Sequence, residues 1–206
     1  MQIQIKHIKK VFKDKEVLND ISFTIESGSI CGLLGVNGAG KSTLMKTLYG
    51  LESQSAGEIL FDGKTSKEIK DDKKFGALIE SPAIYMNLSA FDNLKTKALL
   101  YDIPDETIRE TLNLIGLANT GRKKAGKFSL GMKQRLGLGM AIITNPEFLI
   151  LDEPTNGLDP DGPDSPDPPP KAFFIKKAKP LGFVLLICKA AFFLFEDRPH
   201  DGVQLT

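Results

Sequence analysis

The sequence predicts an α/β protein, with a parallel-sheet core, an N-terminal antiparallel β-subdomain and an inserted α-helical subdomain. Three observations carry this. Short apolar runs of buried-strand type recur at residues 30–34, 75–79 and 147–151, each leading into a loop marked by glycine or proline. The first 25 residues alternate apolar and polar side chains, as paired strands do. From about 85 to 140, apolar residues instead return at helical spacing.

The elements follow in order. Ile3, Ile5 and Ile8 lead to Val11-Phe12, and Val17 to Ile25 alternates again. Ile30-Cys31-Gly32-Leu33-Leu34 is a buried strand, and Thr43 to Tyr49 is a helix stopped by Gly50. Gly57 to Phe61 is a strand closed by the Asp62-Gly63 turn. Phe75 to Ile79 is another buried strand, ended by Ser81-Pro82. In the helical insert, Ser89 caps a helix with Phe91, Leu94, Ala98 and Tyr101 on one face. Asp105 opens a second, carrying Ile108, Leu112 and Ile115, and a third follows Ser129 with Leu136, Met140 and Ile143. Such an insert carries a partner surface or is simply helical packing. Phe148 to Asp152 then returns to a buried strand.

The loop between the 30–34 strand and its helix reads Gly35-Val36-Asn37-Gly38-Ala39-Gly40-Lys41-Ser42-Thr43. It fits G-x-x-x-x-G-K-[ST], the phosphate-binding loop of nucleoside triphosphatases, in the strand–loop–helix setting that motif requires. Its glycines let backbone N–H groups close around an anion, and the helix dipole points at the phosphates. Lys41 is placed to reach the β- and γ-phosphates, and the Ser42 hydroxyl can ligate Mg²⁺. The 147–151 strand ends in two carboxylates, Asp152 and Glu153. Ligands of such sheets sit beyond the carboxyl ends of the strands. Asp152 can therefore hold Mg²⁺, and Glu153 can orient and deprotonate an attacking water; the bland alternative is an acidic turn before Pro154.

Phosphate loop, helical insert and then Leu151-Asp152-Glu153-Pro154-Thr155-Asn156-Gly157-Leu158-Asp159 together resemble the ATP-binding cassette (ABC) family. Phe128-Ser129-Leu130-Gly131-Met132-Lys133-Gln134-Arg135 is similar to that family's signature loop, usually Leu-Ser-Gly-Gly-Gln. The resemblance covers residues 1 to about 162 and implies a P-loop NTPase core of RecA-like type. It implies ATP and Mg²⁺ as cofactors. It makes Phe12 the aromatic that stacks on adenine, unless Phe12 is only a strand-edge apolar residue. Glu80 stands where most cassettes carry a Mg²⁺-sensing glutamine, so it joins Ser42 and Asp152 as a metal ligand, or is a solvated loop residue. Ser129 and Gly131 match residues that touch the γ-phosphate held by the opposite subunit, with Leu130 in place of the first glycine. Asp159 matches a loop that couples the two sites of a dimer. Within the family, Ile79 to Tyr85, Asn87-Leu88-Ser89 and Phe128 to Gly137 resemble the exporters of bacitracin resistance and lantibiotic self-protection.

The chain is therefore expected to be an ATPase subunit, a homodimer or one of a pair, that energises a separate membrane permease for antimicrobial peptide or drug efflux. The alternatives are a non-transporting cassette ATPase and a nucleotide-binding remnant. The 206 residues carry 27 Lys and Arg against 26 Asp and Glu, a balance that argues against a nucleic-acid partner. Cys31 and Cys188 lie in apolar runs and read as buried thiols of a reducing compartment. The N-terminus lacks the apolar block of a signal peptide, and the stretch 181–195 is short for a bilayer span and broken by Lys189. A cytoplasmic protein, peripheral on the inner face of the membrane, is expected.

The pattern breaks after Gly162. Residues 160–170 hold six of the chain's twelve prolines, where a cassette runs a helix. Residues 1–162 are accordingly read as the ATP-binding domain, and 163–206 as a proline-rich linker and atypical tail, incomplete or poorly folded. Gly182 to Cys188 can still form a central strand, but Lys189 or Ala190 stands where the family places a histidine against the γ-phosphate. Impaired turnover is expected.

Overall fold

The computed structural model describes residues 1–69 and 72–152 and, beyond them, the backbone of residues 184–188 and 202–204. In chain order the elements are β1 (Ile3–Phe12), β2 (Lys15–Ile25), β3 (Ile30–Leu34), α1 (Lys41–Tyr49), β4 (Ala56–Phe61), β5 (Lys64–Thr65) and β6 (Phe75–Leu78). Then come α2 (Ala90–Leu100), α3 (Asp105–Leu114), α4 (Leu130–Ile142), β7 (Phe148–Asp152), β8 (Val184–Cys188) and β9 (Gly202–Gln204). Two sheets result. One is antiparallel, in the order β2-β1-β4-β5; the other is parallel, in the order β6-β7-β8-β3-β9.

The antiparallel sheet buries Ile3, Ile5 and Ile8 from β1, although the last two are three residues apart. Strict alternation would send Ile8 to the opposite face. A register shift between Ile5 and Ile8 resolves this, with His7 in the left-handed region at φ 51°. The irregularity turns Ile8 back into the core. On its exposed side His7 Nδ1 lies 2.7 Å from Asp20 Oδ1. Phe61 of β4 meets Phe75 of β6 edge-on at 5.1 Å between ring centroids, and Phe148 of β7 at 5.9 Å. This aromatic cluster joins the two sheets, each pair adding about 0.5–1.5 kcal/mol beyond simple burial.

The parallel sheet has β3 between β8 and β9, and β7 between β6 and β8. Its β7 is buried at every position, which accounts for the uninterrupted apolar run in the sequence. The strand expected around Gly182 to Cys188 is β8, inserted between β3 and β7.

The helical insert has its own core of Leu94, Ala98, Ile108, Leu112 and Leu136. Ser89 Oγ accepts from the Asp92 amide and Ser129 Oγ from the Met132 amide, so both serines cap helices as their sequence context predicts. Tyr101 departs from its expected place on the α2 face. The helix stops at Leu100, ahead of Asp102 at φ 54° and Pro104, and the Tyr101 hydroxyl donates to Asp72 Oδ2 at 2.9 Å.

Helix α4 packs on the parallel sheet through Leu138 and Ala141, which meet Leu78, Leu149 and Leu151, and at two glycines the main chain comes closer still. A Cβ added to Gly76 of β6 would stand 2.3 Å from the Ala141 carbonyl oxygen, and one on Gly137 would stand 2.3 Å from Pro82 Cβ. Close approach of main chain is possible only because these positions lack a side chain.

Lys97 on α2 donates to the Met140 carbonyl at 2.8 Å, tying α2 to the end of α4. Burial lowers its pKa from the ordinary 10.5, with Asp72 opposing the shift. The native state therefore releases this proton before the unfolded state does, and stability rises as pH climbs through the window below 10.5. Lys97→Met is expected to remove that part of the rise. Urea unfolding of both proteins between about pH 8 and 10.5 checks it, and parallel stability curves would count against the assignment.

Candidate functional site

The site is built where β3 hands over to α1. Strand β3 ends at Leu34, the loop spans residues 35–40, and α1 begins at Lys41. Gly40 is the N-cap residue at φ 86°, a conformation natural only to glycine. A Cβ there would also stand 2.8 Å from the Val17 carbonyl and 2.9 Å from Leu18 Cδ2. Strand β2 of the antiparallel sheet therefore braces the loop from behind. Within the loop the Ala39 amide donates to the Val36 carbonyl at 3.2 Å.

Lys41 is only 7% exposed, and its Nζ donates to the carbonyls of Gly35 and Val36 at 2.8 and 2.7 Å. The ammonium thus folds back over its own loop and holds it curved. Gly35, Val36, Asn37, Gly38, Ala39 and Gly40 form the loop, while Ser42 and Thr43 belong to the first turn of α1. Their amides open the helix, where an anion is favoured by unpaired N–H groups and the dipole.

Ser42 Oγ donates to Asp152 Oδ2 at 2.8 Å, across 110 residues of sequence. Asp152, the last residue of β7, is 8% exposed. One turn further along α1, Lys46 Nζ donates to Glu80 Oε1 at 2.6 Å. Glu80 sits in the left-handed region at φ 61°, with its side chain 58% exposed. Of the three residues expected to ligate a metal, Ser42 and Asp152 are thus bonded to each other, while Glu80 is bonded to the same helix one turn further on, through Lys46. A hydroxyl and two carboxylates are the hard oxygen donors that Mg²⁺ takes, with phosphates and waters completing its shell. Among the described residues no group of three His, Cys, Asp or Glu side chains converges.

Phe12 ends β1, two residues beyond Lys10, which pairs with Leu18 beside the phosphate loop. Phe12 is 41% exposed, and Lys10 Nζ lies 4.5 Å from its ring centroid. Lys10 is in turn anchored by donation to the Ser53 carbonyl at 2.6 Å and by Glu52 at 3.2 Å. The ring therefore has a cation on one side, a contact available to any exposed aromatic face.

Ser129 and Gly131 stand apart from these groups, at the start of α4, and the intervening Leu130 is 60% exposed. Glu153 and Asp159 lie outside the described residues, as do Lys189 and Ala190. Sequence reasoning missed Lys46 and Lys10. Spacing held a signal for Lys46, which is four residues after Ser42 and so on the same helical face. For Lys10 the sequence held only its place two residues before Phe12, because its hydrogen-bond and ion-pair partners lie more than forty residues away.

The family model described as ABC transporter matches residues 18–156, which span the phosphate loop, the α4 cap and the end of β7. The lantibiotic transport ATP-binding protein SrtF of Streptococcus pyogenes is 45% identical over 160 residues, covering 78% of this chain and 69% of that protein. The bacitracin transport ATP-binding protein BcrA of Bacillus licheniformis is 41% identical over 165 residues, covering 78% of this chain but only 53% of its own length. Among solved structures, an ATP binding subunit of an ABC transporter superposes with a TM-score of 0.80 at 26% identity, over 100% of this chain and 86% of that one. The chain belongs to the ABC transporter family, and its fold is that of the family's P-loop ATPase subunits.

Gly40→Ala is expected to strain the left-handed cap and push a methyl into the Val17 carbonyl. A loss of about 1–3 kcal/mol in urea unfolding, with weakened nucleotide affinity, is the expected outcome. Unchanged stability and affinity would show that β2 does not brace the loop.

Proposed function

We propose that this chain is the ATP-binding and ATP-hydrolysing subunit of an exporter, energising a separate permease for efflux of antimicrobial peptides or drugs. The observation that carries the reading is the convergence of Lys41, Ser42 and Asp152 at the N-terminus of α1. The lantibiotic and bacitracin transport proteins among its relatives support the choice of cargo. Among the described residues no helix is long and apolar enough to cross a membrane. The working place is the inner face of the cell membrane, with the chain peripheral to it.

In this reading the loop amides and Lys41 bind the triphosphate, and Phe12 stacks on adenine. ATP replaces the Gly35 and Val36 carbonyls as the partner of Lys41 Nζ, exchanging neutral acceptors for anionic ones. Ser42 and Asp152, with Glu80, would hold Mg²⁺, which supplies neutralisation of phosphate charge. Glu153 follows Asp152 directly and acts as general base toward the attacking water. Ser129 and Gly131 offer the α4 N-terminus to the ATP of a second copy, and Asp159 couples the two sites across the dimer. In the sequence, Lys189 or Ala190 stands after the 182–188 run where the family places a histidine against the γ-phosphate. Turnover is accordingly slow, since loss of one preorganised donor costs about 10²–10³ in rate.

Two variants test this. Lys41→Ala is expected to weaken ATP binding by about 2–5 kcal/mol in a direct titration, because it removes the buried cation from the phosphates. Unchanged affinity would refute the loop assignment. Glu153→Gln is expected to keep ATP affinity, cut hydrolysis by about 10²–10⁴, and accumulate an ATP-bound dimer on gel filtration. Hydrolysis at the parent rate would remove Glu153 from the base role. Tight binding of nucleic acid with steep salt dependence, and no membrane partner on pull-down, would favour a non-transporting ATPase instead.

A further inference from the structure

A carboxylate at position 80 raises a problem that a glutamine would not. It sets a negative charge beside a site built for a triphosphate, where like charges repel. The structure holds a countercharge for it. Lys46 Nζ donates to Glu80 Oε1 at 2.6 Å, the short distance of a charge-assisted bond. Lys46 lies one helical turn from Ser42 on the same face of α1, and Ser42 is bonded to Asp152. Strands β6 and β7 run parallel, with Leu78 opposite Leu151. Glu80 and Asp152 therefore leave adjacent strands at the same edge of the sheet. Each is then met by a residue of the same helix, Asp152 by a hydroxyl and Glu80 by a cation. Glu80 also keeps a left-handed backbone at φ 61°, which a non-glycine residue retains only where its surroundings hold it.

We propose that Lys46 is the positioning residue of Glu80: the ion pair cancels the charge that the carboxylate adds beside the phosphates and fixes its oxygens at the edge of the metal site. Together the pair presents what a glutamine presents, an oxygen without net charge, while retaining a harder ligand. The inference rests on the ATP reading given above. It adds that Lys46 acts on nucleotide through Glu80 and not by touching phosphate.

The test is ATP titration of the full chain in excess chelator, so that no divalent cation takes part. Lys46→Met is expected to weaken ATP about three- to tenfold, a range reduced from the full Coulomb value because Glu80 is more than half exposed. Adding Glu80→Gln to that variant is expected to restore the parent affinity to within about twofold, and Lys46→Arg to preserve it. The Lys46→Met loss is expected to shrink as salt is raised toward 1 M. Circular dichroism confirms that each variant is folded; should Lys46→Met unfold, Lys46→Gln replaces it in the same comparison. A loss that persists in the double variant would show that Lys46 touches the nucleotide itself, and no loss in Lys46→Met would show that the pair is idle. Either overturns the proposal while leaving ATP binding intact. A parent chain that does not bind ATP overturns the ATP reading and this inference with it.

Discussion

The hydrogen bond from Ser42 to Asp152 joins residues that only a particular sheet can bring together. Strands β3 and β7 both run parallel to β8 and are separated by it, so their carboxyl ends open on the same edge. The helix leaving β3 then passes its first turn in front of the last residue of β7. Reversing either strand would carry its terminal residue to the far edge and dissolve the site. The apolar side chains of Leu33, Leu44, Phe148 and Ile150 hold this arrangement, and the polar groups exploit it. Parallel order is the constraint, and the chemistry at the edge follows from it.

The elements most legible in the sequence were those decided by local rules. Serine caps at 89 and 129, the Asp62-Gly63 turn and the Gly50 helix stop all depend on neighbours within four residues. The phosphate loop was equally plain, because its backbone shape requires glycines at fixed spacing. Less legible were features set by distant partners. Nothing local around His7 announces the register shift that lets both Ile5 and Ile8 face inward, because the demand comes from the core across the sheet. Tyr101 matched its helical face by spacing alone, yet its hydroxyl found Asp72 beyond the helix end. A buried lysine such as Lys10 reads as a solvated charge until the 52–53 segment is seen folded over it.

The two sheets contribute differently to the site. The parallel sheet supplies the groups assigned above to phosphate and metal, at or just beyond its strand ends. The antiparallel sheet supplies surfaces: Val17 and Leu18 behind Gly40, and the exposed ring of Phe12 at the hairpin end. Glycine at position 40 is thus required twice, once by its own backbone angle and once by β2. Cation placement follows a similar economy. Lys41, Lys46 and Lys10 each meet their own acceptors: two loop carbonyls for Lys41, a carboxylate for Lys46, and a carbonyl, a carboxylate and an aromatic ring for Lys10.

The contact between Gly137 and Pro82 has a mechanical meaning. Most helix–sheet contacts are cushioned by side chains that change rotamer when one element shifts. Here the helix backbone meets a rigid ring, and at Gly76 it meets a strand backbone, so neither contact has a rotamer to absorb displacement. Pro82 is two residues from Glu80, and Gly137 is on the same helix that Ser129 caps. A movement of the loop at 80–82 therefore meets α4 as a stiff linkage. At these two points the approach is set by backbone and ring geometry, while Leu78, Leu138, Leu149 and Leu151 fill the layer beside them.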